Sequence, residues 1–280
     1  MQAANLIDFD RYPIHQHGPA RDACIAKARA ALAKDGCAVL NGFLTPEGVA
    51  ALAAEADRTA IHAHRSYNRT NAYFTQDDPS LPQDHPKRRF FDRSNAFVPA
   101  DNFDAEGPLR QIQNAPGFDD FIRDCLQETA FYRYADPLAD VIVNTASEGQ
   151  GFPWHFDTNN FTVTLAIQNA EEGGAFEYAP MIRDSMGNEN FDDVARVLDG
   201  TSDKVVTLHL QPGDLQLFRG RYSLHRVAPL RGARPRHVAI LSYVDQPDMV
   251  GTPERAMQLY GRVLPVHLDR AGLRSDTLID

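Results

Sequence analysis

Apolar and polar positions recur with two different periods along this chain, and the change of period divides it. In residues 19–34, Cys24, Ile25, Ala28, Ala31 and Leu32 fall at helical spacing, and Gly36 stands where a left-handed turn would close the helix. Residues 37–40 read as a short apolar strand. Thr45 followed by Pro46 predicts a helix start, with Val49, Leu52, Ala53 and Ala56 as its buried stripe. Phe118, Phe121, Ile122, Cys125 and Leu126 mark another amphipathic helix. Between these helices, 66–108 has little periodicity and several prolines, which predicts a long ordered loop or lid.

Beyond Pro137 the period shortens. Eight strand-like runs follow, at 141–145, 152–156, 161–168, 175–178, 205–210, 215–218, 223–227 and 237–243. Turn signals at Glu148-Gly149, Glu172-Gly173-Gly174 and Pro212-Gly213-Asp214 separate them. Eight such strands in two Greek keys make a jelly roll, the cupin-like double-stranded β-helix, packed here against N-terminal helices in an α+β fold. An insertion at 182–200 carries a short helix over 191–198 and is expected to cover the barrel mouth. Thr252-Pro253-Glu254 opens a last helix through Met257, Leu259 and Tyr260, followed by a polar tail. Neither a repeat nor an interdomain linker interrupts the chain. A single domain over 1–280 is therefore expected: helical support and lid to 136, jelly-roll core over 137–245, and a C-terminal helix and tail over 246–280.

Composition narrows the class. With 280 residues, 43% of them apolar, the chain has material for a sizeable core. A net charge of −10, spread along the chain, argues against a surface that tracks nucleic-acid phosphates. The first residues lack a basic segment and a long apolar stretch, and no run of about eighteen apolar residues occurs, so a cytoplasmic protein without a membrane partner is expected. Cys24, Cys37 and Cys125 are too widely spaced for a disulfide framework and read as reduced core thiols.

The chemistry is concentrated in Gly151-Phe152-Pro153-Trp154-His155-Phe156-Asp157. A spacing of two on an extended segment places His155 and Asp157 on one face. Together they offer two corners of the two-His-one-carboxylate triad of non-haem Fe(II) oxygenases, and His225 is the candidate third. A lone buried histidine is more commonly a hydrogen-bonded core residue, and a lone strand aspartate usually faces water; the combination carries the signal. Eleven residues past His225, Arg236 opens the final apolar run, where a planar guanidinium could grip the distal carboxylate of a keto-diacid bidentately. Arg234 is its rival. Asn144, Thr162 and Thr164 read equally as cosubstrate neighbours or as ordinary strand residues. The basic stretch 87–93 reads as a solvated face or as the source of one arginine for a substrate carboxylate.

Four segments carry a resemblance: Trp154-His155-Phe156-Asp157, Glu172-Gly173-Gly174-Ala175-Phe176-Glu177-Tyr178, Pro212-Gly213-Asp214-Leu215 and Arg221-Tyr222-Ser223-Leu224-His225-Arg226-Val227. The chain resembles the Fe(II)/2-oxoglutarate-dependent oxygenases, and within them the bacterial amino-acid hydroxylases and radical halogenases, most densely over 136–262. The resemblance implies Fe(II) held by His155, Asp157 and His225, 2-oxoglutarate anchored by Arg236, and O2 as oxidant. It further implies hydroxylation of an unactivated C–H bond in a small molecule, an amino acid or derivative, with release of succinate and CO2. The halogenases carry Gly or Ala where this chain has Asp157, which points to the hydroxylase branch. Desaturation, cyclisation or epimerisation would use the same iron centre. A metal-binding cupin without catalysis would leave Arg236 without a role.

Overall fold

Helix gives way to strand where the sequence changes its spacing, and the local signals for each element are visible in the computed structural model, which describes residues 5–184 and 186–269. Helix α1 (Pro19–Asp35) ends on Gly36, whose φ of 70° turns its N–H back to the Leu32 carbonyl. After β1 (Cys37–Leu40), α2 (Pro46–Thr59) starts at Thr45, whose Oγ1 accepts from the Gly48 N–H. Strands β2 (His64–Thr70) and β3 (Phe91–Val98) pair antiparallel. Helices α3 (Pro108–Gln113) and α4 (Phe118–Leu126) and the short β4 (Tyr132–Arg133) follow.

The strand-rich half runs through β5 (Val141–Ala146), β6 (Phe152–His155), β7 (Thr162–Gln168), β8 (Glu172–Gly173) and β9 (Phe176–Ala179). Helix α5 (Phe191–Leu198) intervenes before β10 (Val206–Leu208), β11 (Leu215–Phe218), β12 (Leu224–Val227), β13 (Leu230–Arg231), β14 (Arg236–Leu241) and β15 (Tyr243–Val244). Helices α6 (Pro253–Tyr260) and α7 (Pro265–Asp269) close the described chain. Seven strands form one sheet in the order β1-β11-β7-β14-β5-β3-β2, and four form a smaller one in the order β10-β9-β12-β6. Facing each other, the two sheets make the expected jelly roll, a double-stranded β-helix in an α+β fold. Among the described residues no helix is long and apolar enough to cross a membrane.

Period-two alternation decides what lies on each side of the large sheet. Val141 and Val143 of β5, Val163 and Leu165 of β7, Leu215 and Leu217 of β11, and Ala239 and Leu241 of β14 pack into the main core. Helices α1, α2 and α4 supply the other half of that core through Ile25, Leu32, Leu52, Phe118, Phe121 and Ile122. Their neighbours in sequence, Ile142, Asn144, Thr162, Thr164, Gln216, Val238 and Ile240, face a cavity instead. A one-residue slip in any of these strands would exchange core for cavity. Cys37 and Cys125 are buried, Cys24 is half-buried, and all three are free thiols.

Three expectations change in the structure. The 66–108 stretch, expected as loop or lid, supplies most of β2 and all of β3, and β3 extends the large sheet through Ala96, Phe97 and Val98 opposite Thr145, Asn144 and Val143. Backbone pairing to β5 orders it, which polar side chains do not reveal in advance. Helix α5 forms over the expected residues but lies on the outer face of the small sheet. There Val194 and Val197 pack with Tyr73, Trp154, Phe156 and Leu224, and no described residue of 182–200 lines the cavity. The polar tail begins later than expected, because His267 of α7 is fully buried with Nε2 3.1 Å from Asp136 Oδ2. The remainder of the predicted tail lies outside the described residues.

Phe43 is fully buried, with the rings of Tyr12 and Phe118 at 5.5 and 5.9 Å. Phe43→Ala is expected to cost about 3–5 kcal/mol in urea denaturation. Tyr67→Ala, at a ring 75% exposed on β2, is expected to stay within about 0.5 kcal/mol of the parent.

Candidate active site

The inward faces of the two sheets enclose a cavity of about 270 Å³. Strands β6 and β12 of the small sheet pair so that His155 lies directly opposite His225. Asp157 follows the end of β6, where its N–H donates to the Gly220 carbonyl at 3.1 Å. Its carboxylate turns back toward the two rings: Oδ1 is 3.6 Å from His155 Nε2 and 3.4 Å from His225 Nε2. The sequence-predicted triad is thus brought together in space, with the three donor atoms within 4.8 Å of one another.

Both imidazoles are held in the tautomer that a metal requires. His155 Nδ1 lies 2.8 Å from the Pro153 carbonyl and His225 Nδ1 2.9 Å from the Ser223 carbonyl. A carbonyl only accepts, so each Nδ1 carries the proton and each Nε2 presents a lone pair. Donor atoms about 2.1 Å from a shared ion at right angles stand about 3 Å apart, close to the observed spacing. Without a proton between them, three such atoms repel, and a cation is the partner that relieves the repulsion.

Electrostatics agree with that reading. Burial, with His225 adding to it, pushes His155 down to about 3, so the ring is neutral across the physiological range. Burial alone would raise the Asp157 carboxyl, but its interaction with the His225 and His155 rings outweighs burial and holds the group well below the usual carboxylate range. Asp157 Oδ2 accepts from Thr162 Oγ1 at 2.6 Å, which fixes the carboxylate from the large sheet. Phe152 packs 4.1 Å from the His155 ring, and Phe218 and Phe176 pack 4.9 and 5.5 Å from the His225 ring, centroid to centroid. These aromatics keep the donors dry.

Arg236 starts β14 on its cavity face and is 8% exposed. Burial alone lowers its pKa, to about 10, and among the described residues no carboxylate offsets the cost. A buried guanidinium without an acid is expensive unless an anion joins it. Arg234 is exposed, and its Nη2 donates to the Ala170 carbonyl at 3.3 Å, outside the cavity. The rivals are therefore separated by where β14 begins: Arg236 is its first residue, and Arg234 lies outside the strand. Asn144 lines the cavity while its Nδ2 donates to the Ala96 carbonyl at 3.2 Å, and Thr164 Oγ1 donates to Gln216 Oε1 at 3.1 Å.

Several contributors carry no clear mark in the sequence. Gly220 is one: a Cβ there would stand 1.8 Å from Asp157 Oδ2, so the carboxylate occupies the volume a side chain would need. Thr162 is another, its role decided by a contact across sheets. Of the basic stretch, Arg88 pairs with Asp77 and Arg89 with Asp199, while Arg93 alone lines the cavity. Arg255 of α6 joins it from a part of the chain that shows only helical periodicity.

A family model described as Halogenase D matches residues 20–258. No curated protein matches the chain. Among solved structures, the chain is similar to the non-heme alpha ketoglutarate dependent epimerase SnoN from nogalamycin biosynthesis, at 16% identity and a TM-score of 0.54, covering 80% of this chain and 84% of that one. EctD from S. alaskensis with 2-oxoglutarate and 5-hydroxyectoine gives 18% identity and a TM-score of 0.53, covering 86% and 83%. A 2OG-Fe(II) oxygenase family oxidoreductase from Burkholderia pseudomallei gives 13% and 0.51, covering 82% and 93%. At these identities the likeness is one of fold.

Two outcomes follow from the geometry. Gly220→Ala is expected to displace the Asp157 carboxylate and lower affinity for Fe(II) or Co(II) by about tenfold or more, read by metal titration, with far-ultraviolet circular dichroism unchanged. Unperturbed affinity would mean that Asp157 relocates without consequence for the metal. The second concerns pH: His155 titrates near 6.5 in the unfolded chain and near 3 in the folded one. Unfolding therefore takes up a proton between those values, and stability is full above the upper value and falls as pH drops through it. By about pH 5.5 the metal-free protein is expected to lose on the order of 1 kcal/mol through this group, with Asp157 adding a loss in the same direction at lower pH. His155→Gln is expected to flatten the slope of Tm against pH between neutrality and that point.

Proposed function

The chain belongs to the Halogenase D family, and from that premise we propose that it is an Fe(II)- and 2-oxoglutarate-dependent dioxygenase. In this reading it hydroxylates an unactivated C–H bond of a small molecule, an amino acid or amino-acid derivative. The observation that carries the reading is the meeting, in one cavity, of three converging donor atoms with a buried guanidinium that burial alone perturbs. Bound there, Fe(II) with O2 supplies the oxidising power: 2-oxoglutarate loses CO2 and becomes succinate, and one oxygen atom ends on the substrate carbon.

The protein's part is positioning. His155, Asp157 and His225 would hold the ion through two imidazole nitrogens and one carboxylate oxygen, leaving its other positions for ligands. Arg236, at the start of β14, offers its planar fork to the distal carboxylate of 2-oxoglutarate, and the anion in turn removes the cost of burying the guanidinium. Aromatic packing on both imidazoles excludes water from the reacting centre.

Asp157 favours oxygen over halide transfer within the family. It stands where the radical halogenases carry Gly or Ala, and its carboxylate is fixed by Thr162 and accommodated by the missing side chain of Gly220. A halide would need that corner. Succinate release from 2-oxoglutarate, measured with Fe(II) across amino acids and their derivatives, tests the reading when paired with product mass. A product gaining one oxygen atom supports it; a product losing two hydrogens transfers the centre to desaturation or ring closure, and no Fe(II)-dependent succinate with any compound overturns it.

Arg236→Lys keeps a charge but loses the fork, and is expected to raise KM for 2-oxoglutarate by about tenfold or more while Arg234→Lys changes it little. The reverse ranking would move the anchor to Arg234. Asp157→Gly is expected to abolish most hydroxylation while leaving weak, uncoupled succinate formation, since both histidines remain. Hydroxylation at the parental rate would remove Asp157 from the ligand set.

A further inference from the structure

Away from Arg236, one wall of the cavity is a single apolar cluster. Phe97, Ala139, Ile142, Ile240, Leu259 and Tyr260 belong to it and line the cavity together. Phe152 packs on the same cluster, and its ring stands 4.1 Å from that of His155, so the hydrocarbon surface begins at the candidate metal ligands. Strands β3, β5 and β14 supply Phe97, Ile142 and Ile240, and α6 lays Leu259 and Tyr260 against them. Such a wall favours buried hydrocarbon and disfavours buried charge.

The acids beside this wall are already committed. Among the described residues, Asp136 and Asp157 are the carboxylates of the lining. Asp157 has Oδ1 between the two imidazoles and Oδ2 on Thr162. Asp136 adjoins the cavity but is 1% exposed, so nothing as large as a water molecule reaches its oxygens. Its Oδ1 accepts from the Leu138 N–H at 2.8 Å and its Oδ2 from the Gly251 N–H at 2.9 Å. His267 Nδ1 accepts the Leu264 N–H at 3.0 Å, which leaves the ring proton on Nε2 to be donated to Asp136 Oδ2, 3.1 Å away. Gly251 precedes α6 and His267 follows it, so one carboxylate ties down both ends of the helix. Arg255, in the first turn of α6, brings a positive charge to the same wall, and after burial its like charge is the next cause that lowers Arg93, to about 9. A side-chain ammonium entering here would lose its water, meet a guanidinium and reach neither carboxylate.

We propose that this end of the cavity is a hydrocarbon pocket, that the substrate is an amino acid or derivative with an uncharged aliphatic side chain, and that α6 is the element that selects it against side chains bearing an ammonium. This rests on the reading of the cavity as a 2-oxoglutarate oxygenase site and narrows its substrate class. The side chain lies along Phe97, Ile142, Ile240 and Leu259, which brings its carbons toward the ligand cluster past Phe152.

Three probes with one unbranched skeleton separate charge from length: L-norleucine, L-6-hydroxynorleucine and L-lysine. Binding to the full chain is measured by ligand-detected NMR without oxygen, with Fe(II) and 2-oxoglutarate present, so that no turnover is needed. L-norleucine is expected to bind about tenfold or more tightly than L-lysine, with L-6-hydroxynorleucine between them. Leu259→Glu sets a carboxylate on the wall and is expected to shift the norleucine-to-lysine ratio by about tenfold toward lysine, whereas the uncharged Leu259→Gln leaves lysine weak. Leu259 is buried, so Arg255→Glu, at a half-exposed position on the same helix, gives an independent variant that leaves the core intact, and it is expected to move the ratio in the same direction by about tenfold. L-lysine binding to the parent as tightly as L-norleucine, failure of L-norleucine to bind, or an unchanged ratio in Arg255→Glu would each overturn the proposal. Fe(II)-dependent succinate release supported only by amino acids with a cationic side chain would overturn it while leaving the oxygenase reading in place; hydrocarbon-selective binding without such succinate from any compound would do the reverse.

Discussion

The Asp157 carboxylate is the point on which the two sheets converge. Oδ1 answers two imidazoles from the small sheet, Oδ2 is held by Thr162 of the large sheet, and its backbone N–H is tied to Gly220 in the turn between β11 and β12. Each partner restrains a different degree of freedom. The position of the carboxylate therefore depends on strand pairing, on the register of β7 and on the absence of a side chain at residue 220. A donor set so constrained pays its desolvation and ordering before any ligand arrives, which is the physical meaning of preorganisation.

Charge organises the rest of the cavity. Arg236, Arg93 and Arg255 enter from three different elements, and burial disfavours the first two strongly enough to lower their pKa values. A hydrophobic fold tolerates such guanidiniums where anions are to be received. The aromatic rings over the imidazoles and along Arg93 serve both ends of this arrangement, drying the centre and offering π faces to the cation.

Much of the fold was legible because it rests on periodicity. The helices at 19–35, 46–59, 118–126 and 253–260 follow apolar spacing, three of them with caps recognisable at Gly36, Thr45 and Thr252, and the eight runs after residue 137 appear as strands with ends displaced by a residue or two. Strands β2 and β3 were not legible, because β3 is ordered by hydrogen bonding to β5 and β2 by hydrogen bonding to β3, and backbone pairing leaves no pattern in polar side chains. Nor was the position of α5. Its amphipathic face identified a helix but not which of two surfaces would receive it.

The sequence by itself determined the kinds of donors and their spacing: a His and an Asp two residues apart, a second His on a later strand, and an Arg opening the last strand. These survive translation into structure because spacing along the chain is a local property, even though Asp157 falls just past the end of β6. Only the tertiary structure decided that His225 lies across from His155, that Arg236 rather than Arg234 faces the cavity, and that Thr162 and Gly220 complete the Asp157 setting. It also decided that Arg93 and Arg255, 162 positions apart in the chain, share one space. Convergence of this kind depends on sheet register and helix docking, which are set by the summed packing of residues remote from the site.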